Sequence, residues 1–339
     1  MQGAGYLTQH PQALLRQFIL ITILVVPTSY VAVRPLRSTL QTAAQLSGVP
    51  IWPSNGVISK EISNQYVFYD PRTAECVIAY PANLGTSQFE KNPGKLVISR
   101  FATTRGARPS IQFSIVHDQE KYRYAYRVAN GAGAKRPITS WYLATPVRPD
   151  GTLMAPSKWV TTTTRSSIDD AGNALGKPRL DGYVVFWFVQ EEEASIATGK
   201  SLEGFSVVSS YKPGISAGYV RAGFFSMPSP DTFPDAVREQ LGSLSSIAFS
   251  TESVLTVAPK FPGGTPRHQI AQDFHDGIRR MIAAGQLKEE SALVRESLER
   301  LTPYFQNAET FKNVPFTLNQ RAANPLEISL QGVLTLAMN

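Results

Sequence analysis

The sequence predicts a mainly β chain with a β-sandwich over residues 57–228, a helical region with a hairpin over 229–313, C-terminal strands in 314–339 and an N-terminal membrane-anchor helix. Three observations carry this reading. Short aromatic or β-branched runs alternate at period two up to residue 225, apolar spacing switches to helical periodicity near residue 270, and residues 18–33 are apolar on every side. Period two sends alternate side chains to opposite faces of a strand, whereas a 3.6 period gathers them on one face of a helix.

The amino terminus comes first. Residues 1–17 form a polar tail, and the anchor segment 18–33 contributes Phe18, Ile19, Leu20, Ile21, Ile23, Leu24, Val25, Val26 and Tyr30, with Arg16 before it and Arg34 and Arg37 after it. As a helix it spans about 24 Å at 1.5 Å per residue, short of the roughly 30 Å hydrocarbon core. Its length lies between a signal peptide and a short anchor. Signal peptidase needs small residues at the third and first positions before the cut, which Tyr30 and Ala32 meet poorly; the better match, Thr42-Ala43-Ala44, lies well beyond. A retained anchor is therefore expected, with the bulk of the chain on the extracytoplasmic, periplasmic side. Basic residues on both flanks specify that orientation only weakly. Residues 34–56 read as a linker.

Strand runs then recur at 65–69, 76–80, 95–99 and 110–116, punctuated by Asp70-Pro71, Asn92-Pro93-Gly94 and Arg108-Pro109. The run KYRYAYRVANG (121–131) interleaves basic and aromatic residues, the composition of a nucleic-acid surface. Single-strand binders, however, need aromatics and cations in one groove. Here Tyr122, Tyr124, Tyr126 and Val128 share one face and Arg123 and Arg127 the other, so a half-buried strand is expected and no nucleic-acid partner. Asn130-Gly131 supplies residues suited to positive φ in a turn, with 138–143 as the following partner strand. Further strands are expected at 158–161, 183–189, 205–208 and 219–225.

Past residue 228 the texture changes. A short helix is expected at 232–241 and a Pro/Gly loop at 259–266. Ile270, Phe274, Ile278, Met281 and Ile282, then Leu287, Leu293, Val294, Leu298 and Leu301, recur at helical spacing across Ala284-Gly285 and predict the hairpin, closed by Thr302-Pro303. Residues 314–318 and 326–336 read as terminal strands.

Composition narrows function by exclusion. The 339 residues suffice for two domains and a real core. Only 17% are charged, below the usual quarter or so of a soluble domain, which suits a surface covered by partners. The net charge of +7 favours acidic partners or anionic headgroups in general terms, since no long basic block concentrates it. Cys76 is the single cysteine, excluding an intramolecular disulfide, a Cys-rich zinc site and a lipidated cysteine after the apolar segment.

Over about 105 residues a resemblance emerges. The strand Tyr122-x-Tyr-x-Tyr-x-Val-x-Asn130, then Trp159 and Trp187, then Gly199-Lys-Ser-Leu-Glu-Gly-Phe-Ser206 and Ser209-Ser-Tyr-Lys-Pro-Gly214, resembles the immunoglobulin-like sandwich domains of bacterial extracytoplasmic proteins, with Thr198 where those carry proline. The resemblance implies an exported, non-catalytic fold. It does not extend to residues 1–100 or to the last strands.

Candidate chemistry is sparse. Gly214-Ile-Ser216-Ala-Gly218 fits the G-x-S-x-G pattern, and Asp231 or Asp235 followed by His268 or His275 gives the hydrolase order. That elbow needs a helix directly after the serine, whereas 219–225 reads as a strand. His268, Asp273 and His275 are grouped, but the histidines stand seven apart rather than four, two helical turns rather than one. Gly131-Ala-Gly-Ala-Lys135 lacks the spacing of a phosphate loop and reads as a turn. Glu191-Glu192-Glu193 reads as a solvated guard after an apolar strand, and Asp169, Asp170 and Asn173 give only part of a calcium ligand set. No catalytic residue, cofactor or metal is expected.

The expectation is thus a non-catalytic accessory subunit docking on an integral membrane protein complex of respiratory, photosynthetic or secretion type, with residues 1–50 forming much of the contact. The alternatives are a secreted carbohydrate- or surface-binding module and a serine esterase using Ser216.

Overall fold

Tyr122, Tyr124 and Tyr126 are buried while Arg123 and Arg127 are exposed, the alternation their spacing requires. They lie in a computed structural model that describes residues 49–53, 65–84, 95–166, 182–224, 229–248, 251–311 and 313–339. The anchor segment 18–33, its polar tail, most of the linker, and Asp169, Asp170 and Asn173 fall outside the described residues.

In chain order the strands are β1 (Val67–Asp70), β2 (Glu75–Pro81), β3 (Leu96–Ala102), β4 (Pro109–Asp118), β5 (Lys121–Asn130), β6 (Ile138–Thr145), β7 (Leu153–Met154), β8 (Trp159–Ser166), β9 (Gly182–Val189), β10 (Ser201–Ser209), β11 (Lys212–Ala222) and β12 (Glu252–Phe261). The helices are α1 (Asp235–Ala248), α2 (Arg267–Ala283), α3 (Ala292–Gln306), α4 (Ala308–Phe311) and α5 (Pro325–Met338). Three antiparallel sheets result, ordered β1-β2-β3, β4-β5-β10-β7 and β12-β11-β6-β9-β8.

The two larger sheets enclose an aromatic core. Trp141 and Trp187 are fully buried and stack at 4.2 Å and 9°, and Phe205 meets Trp141, Trp159 and Trp187 edge-on. Tyr126 crosses from one sheet to the other, donating its hydroxyl to the Val257 carbonyl at 2.9 Å. Buried tyrosines need such acceptors, because an unpaired hydroxyl in this interior costs about 1–3 kcal/mol. Helices α2, α3 and α5 join the same core.

The small sheet builds a core of its own. Val67, Tyr69, Cys76 and Ile78 pack on Phe233, Val237 and Leu241, and Gln240 accepts the Tyr66 N–H at 2.8 Å. The chain thus returns after β11 to cover β1–β3 with α1, so residues 57–228 are not one sandwich.

Other departures have local causes. Asn130 is 1% exposed and lacks positive φ; its amide accepts the Arg108 N–H and donates to the Arg136 and Ile196 carbonyls. It cross-links loops instead of making a turn. β6 joins the opposite sheet, and β5 pairs with β4 and β10. Residues 252–261 form a strand where a helical region with a Pro/Gly loop was expected; Pro259 is tolerated because β12 is an edge strand. Pro303 lies inside α3, whose buried Leu301 and Tyr304 carry the helix past it to Gln306.

The expected terminal strands are absent among the described residues. Residues 325–338 are helical: Leu330, Val333, Leu334 and Ala337 recur at helical spacing and are all buried. Asn324 caps the helix, accepting the Glu327 N–H at 3.0 Å, while Glu327 accepts from the Asn324 side chain and the Ala323 N–H. That reciprocal cap, with Pro325 at the first turn, outweighs the β-like alternation around Ile328.

Candidate functional site

Several of the residues that sequence singled out for chemistry are held by structural partners. Ser216 lies mid-strand in β11 opposite Thr256 of β12, and its Oγ donates to the Ala144 carbonyl at 2.6 Å. Asp231 and Asp235 pair with Arg238 at the start of α1. His268 and His275 sit on α2, where the His275 Nδ1 meets the Asp276 carboxylate at 3.1 Å and its ring packs edge-on to Phe305. Among the described residues, the Ser216 hydroxyl is thus directed to a backbone carbonyl and not to either histidine or either aspartate. No nucleophile elbow forms, because the strand continues where a helix would have to begin.

Asp273 points into the sheet. Its Oδ2 accepts the Ile215 N–H at 2.9 Å and its Oδ1 holds the Lys260 ammonium, which also donates to the Ile215 carbonyl at 3.0 Å. Among the described residues, no group of three His, Cys, Asp or Glu could hold a metal ion. Glu191 pairs with Lys158 at 2.9 Å, and the short turn Glu192–Ala194 presents the Ala194 carbonyl to the Trp159 indole. Cys76 is buried, and burial pushes its thiol up to about 12, leaving no thiolate for chemistry near neutral pH.

Beside α2 lies an open concavity of about 450 Å³, lined by Phe261, Phe305, His268, Gln272 and Asp276 among others. Burial acts to raise the Asp276 carboxyl, but hydrogen bonds from Gln272 and His275 hold it below the usual carboxylate range. It is a charged acceptor at neutral pH.

The most distinctive surface is the outer face of the five-stranded sheet. Register places Tyr142 opposite both Tyr219 and Phe186, and Phe188 opposite Ser140. Tyr142 and Phe186 stack at 4.3 Å and 8°, Phe186 and Phe188 follow at 4.9 Å and 24°, and the Arg221 guanidinium covers Tyr142 at 5.3 Å. All four side chains stay half-exposed. Val160 and Thr162 of β8 flank the stack. Helix α2 packs farther along β11, where Ile215 lies under Gly277; Gln286 bonds both the N–H and the carbonyl of Leu255 at 2.9 Å, α5 packs on β4 and β11, and α1 on β1 and β2.

Sequence reading passed over this stack, although its signal was present. GYVVFWFV is apolar at odd and even positions alike. A strand apolar on both faces is typically covered on both; Val185, Trp187 and Val189 fill the core, which leaves Phe186 and Phe188 for the other side.

No family model matches the chain, and no curated protein matches it. Among solved structures it is similar to a biomass-sensing module of an Rsgi2 protein of Clostridium thermocellum, described as resembling a family 3 carbohydrate-binding module of the cellulosome, at 15% identity over 31% of this chain and 67% of that one, with a TM-score of 0.21. A superposition that weak bears on neither ligand nor activity.

Proposed function

We propose that this chain is a non-catalytic accessory protein that docks on an integral membrane protein complex. Its immunoglobulin-like sandwich is the extracytoplasmic docking body, and the apolar segment 18–33 is the anchor. The supporting observation is the Arg221–Tyr142–Phe186–Phe188 stack, an apolar ridge with one cationic end on the outer face of an otherwise filled sandwich. Aromatic residues and arginine are the side chains that most often dominate protein interfaces. Stacked rings hide their faces from one another and turn edges outward, which suits interdigitation with protein side chains better than the flat stacking of a sugar ring.

Copurification from mild detergent tests this. The full-length chain is expected to recover a membrane complex, and Phe186→Glu with Phe188→Glu is expected to lose it at unchanged melting temperature. Retention of the complex at normal stoichiometry by the folded double variant would refute the docking face. Deletion of residues 1–33 behind a cleavable export signal tests the anchor separately.

A second reading has one observation in its favour. The lining of the concavity beside α2 combines two phenylalanines with planar hydrogen-bonding groups, the composition of a small polar ligand site. Binding of a polysaccharide panel that Phe305→Ala abolishes would support a carbohydrate- or surface-binding module instead.

A further inference from the structure

Sheet edges expose unpaired backbone groups, and proteins usually guard them with charge, proline, bulges or covering elements. Most edges here carry such a guard. β1 is bridged by Ile51: the Trp52 N–H donates to the Tyr69 carbonyl and the Tyr69 N–H to the Pro50 carbonyl. β7 spans two residues, β4 is covered in part by α5, β12 carries Pro259 and a register shift at Lys260, and β8 presents threonines. Among the described residues, β3 has none of these. It shows Leu96 at 39% and Ile98 at 48% exposure, contains no proline, and its one charge, Arg100, is taken up by Asp70 and Glu75 at 3.2 Å each.

The hydrogen-bond phase of β3 is fixed at both ends. Ala82 N–H donates to the Lys95 carbonyl and Thr103 N–H to the Ala74 carbonyl. Antiparallel pairing alternates, so every second residue between these bonds toward β2, and Leu96, Ile98, Arg100 and Ala102 turn their N–H and C=O groups outward. These four positions are symmetric about Ser99. No described strand occupies that side.

We propose that β3 pairs antiparallel with β3 of a second copy of this chain, on a two-fold axis through Ser99. In that register Leu96 meets Ala102 of the partner subunit and Ile98 meets Arg100 of the partner subunit, so all the outward backbone groups are satisfied. Ser99 meets Ser99 of the partner subunit as a non-hydrogen-bonded pair, whose Cα atoms approach to about 4.5 Å, a gap that a small side chain fits. The two Arg100 guanidiniums on the shared face are already neutralised by Asp70 and Glu75. Two three-stranded sheets become one continuous sheet, and the exposed Leu96 and Ile98 are covered. An isologous contact of this kind closes on itself.

The geometry permits a direct test in the full-length chain. Cα atoms at about 4.5 Å lie within disulfide range, so Ser99→Cys should cross-link most of the chain into a dimer under diamide, whereas Val116→Cys, exposed on another sheet, should not. Buried Cys76 does not compete. Adding Ile98→Lys should reduce the cross-linked fraction at least tenfold, and sedimentation of the otherwise native chain carrying Leu96→Glu should shift from dimer to monomer. Circular dichroism establishes that each variant is folded. A Ser99→Cys yield no higher than that of Val116→Cys, or a native chain that sediments as a monomer at micromolar concentration, would overturn the proposal.

Discussion

Asp273 of α2 reaches the backbone of β11, accepting the Ile215 N–H at 2.9 Å while its second oxygen holds Lys260. One carboxylate therefore fastens the helical hairpin to the sandwich, and Lys260 is in turn bonded to the Ile215 carbonyl. Removing it leaves a part-buried ammonium and a backbone donor without an acceptor, a loss of about 2–4 kcal/mol. Asp273→Ala is expected to lower denaturant stability by that amount. Zinc should shift the melting temperature of neither protein; a zinc-dependent rise confined to native Asp273 would instead make the carboxylate a ligand.

The stacked tryptophans should respond unequally. Trp187 donates its indole N–H to the Met154 carbonyl at 2.8 Å, whereas the buried Trp141 Nε1 has no hydrogen-bond partner. Both Trp→Phe changes remove similar volume, but only Trp187→Phe strands a bonded carbonyl, while Trp141→Phe also removes an unmet donor. Trp187→Phe is expected to cost about 1 kcal/mol more than Trp141→Phe. Equal costs by urea unfolding would show that the indole hydrogen bond contributes nothing measurable.

Gly277 tests the closeness of helix and sheet. A Cβ there would collide with the Ile215 side chain. Alanine normally strengthens a helix by about 1 kcal/mol over glycine, but the overpacking costs about 1–3 kcal/mol. Gly277→Ala is therefore expected to destabilise, and a rise in melting temperature would mean that α2 can lift away freely.

What the sequence revealed followed the strength of its periodic signals. The tyrosine strand and the hairpin were legible because one face of each is apolar and the other is not. β12 was obscured because Pro259 reads as a breaker unless the strand is known to lie at an edge, which only tertiary pairing decides. The closing helix was misread because Ile328 and Leu330 imitate alternation, although Asn324-Pro325 with Glu327 is a helix-start pattern. The closing of β1–β3 by α1, from residues more than 130 positions later in the chain, left no local trace. The strand after the G-x-S-x-G serine was legible in its alternation: Ser216 is part of a sheet, and its hydroxyl donates to the Ala144 carbonyl.

The small sheet offers a final test through acid. Burial acts to raise the Asp70 carboxyl, yet hydrogen bonds from Arg72 and Arg100 outweigh it and hold the carboxyl below its ordinary value. A depressed folded value means that the stabilisation is fully present above the unfolded value of about 3.9 and is lost as pH falls through the lower folded one. Asp70 has no exposed surface, so Asp70→Asn should forfeit about 1.5–3 kcal/mol of charged hydrogen bonding at neutral pH and flatten the acid limb of this unit. Cys76 reports on it directly, since it is 1% exposed, packs in the same core and lies opposite Tyr69, next to Asp70. Opening exposes the thiol, and each 1.4 kcal/mol lost should speed labelling by a thiol reagent about tenfold. Asp70→Asn is therefore expected to label faster than the native chain by roughly ten- to a hundredfold at neutral pH, with the difference shrinking only as pH falls below the unfolded value of about 3.9 and through the lower folded one. Equal labelling rates at neutral pH would mean that Arg72 and Arg100 do not stabilise the small sheet through Asp70.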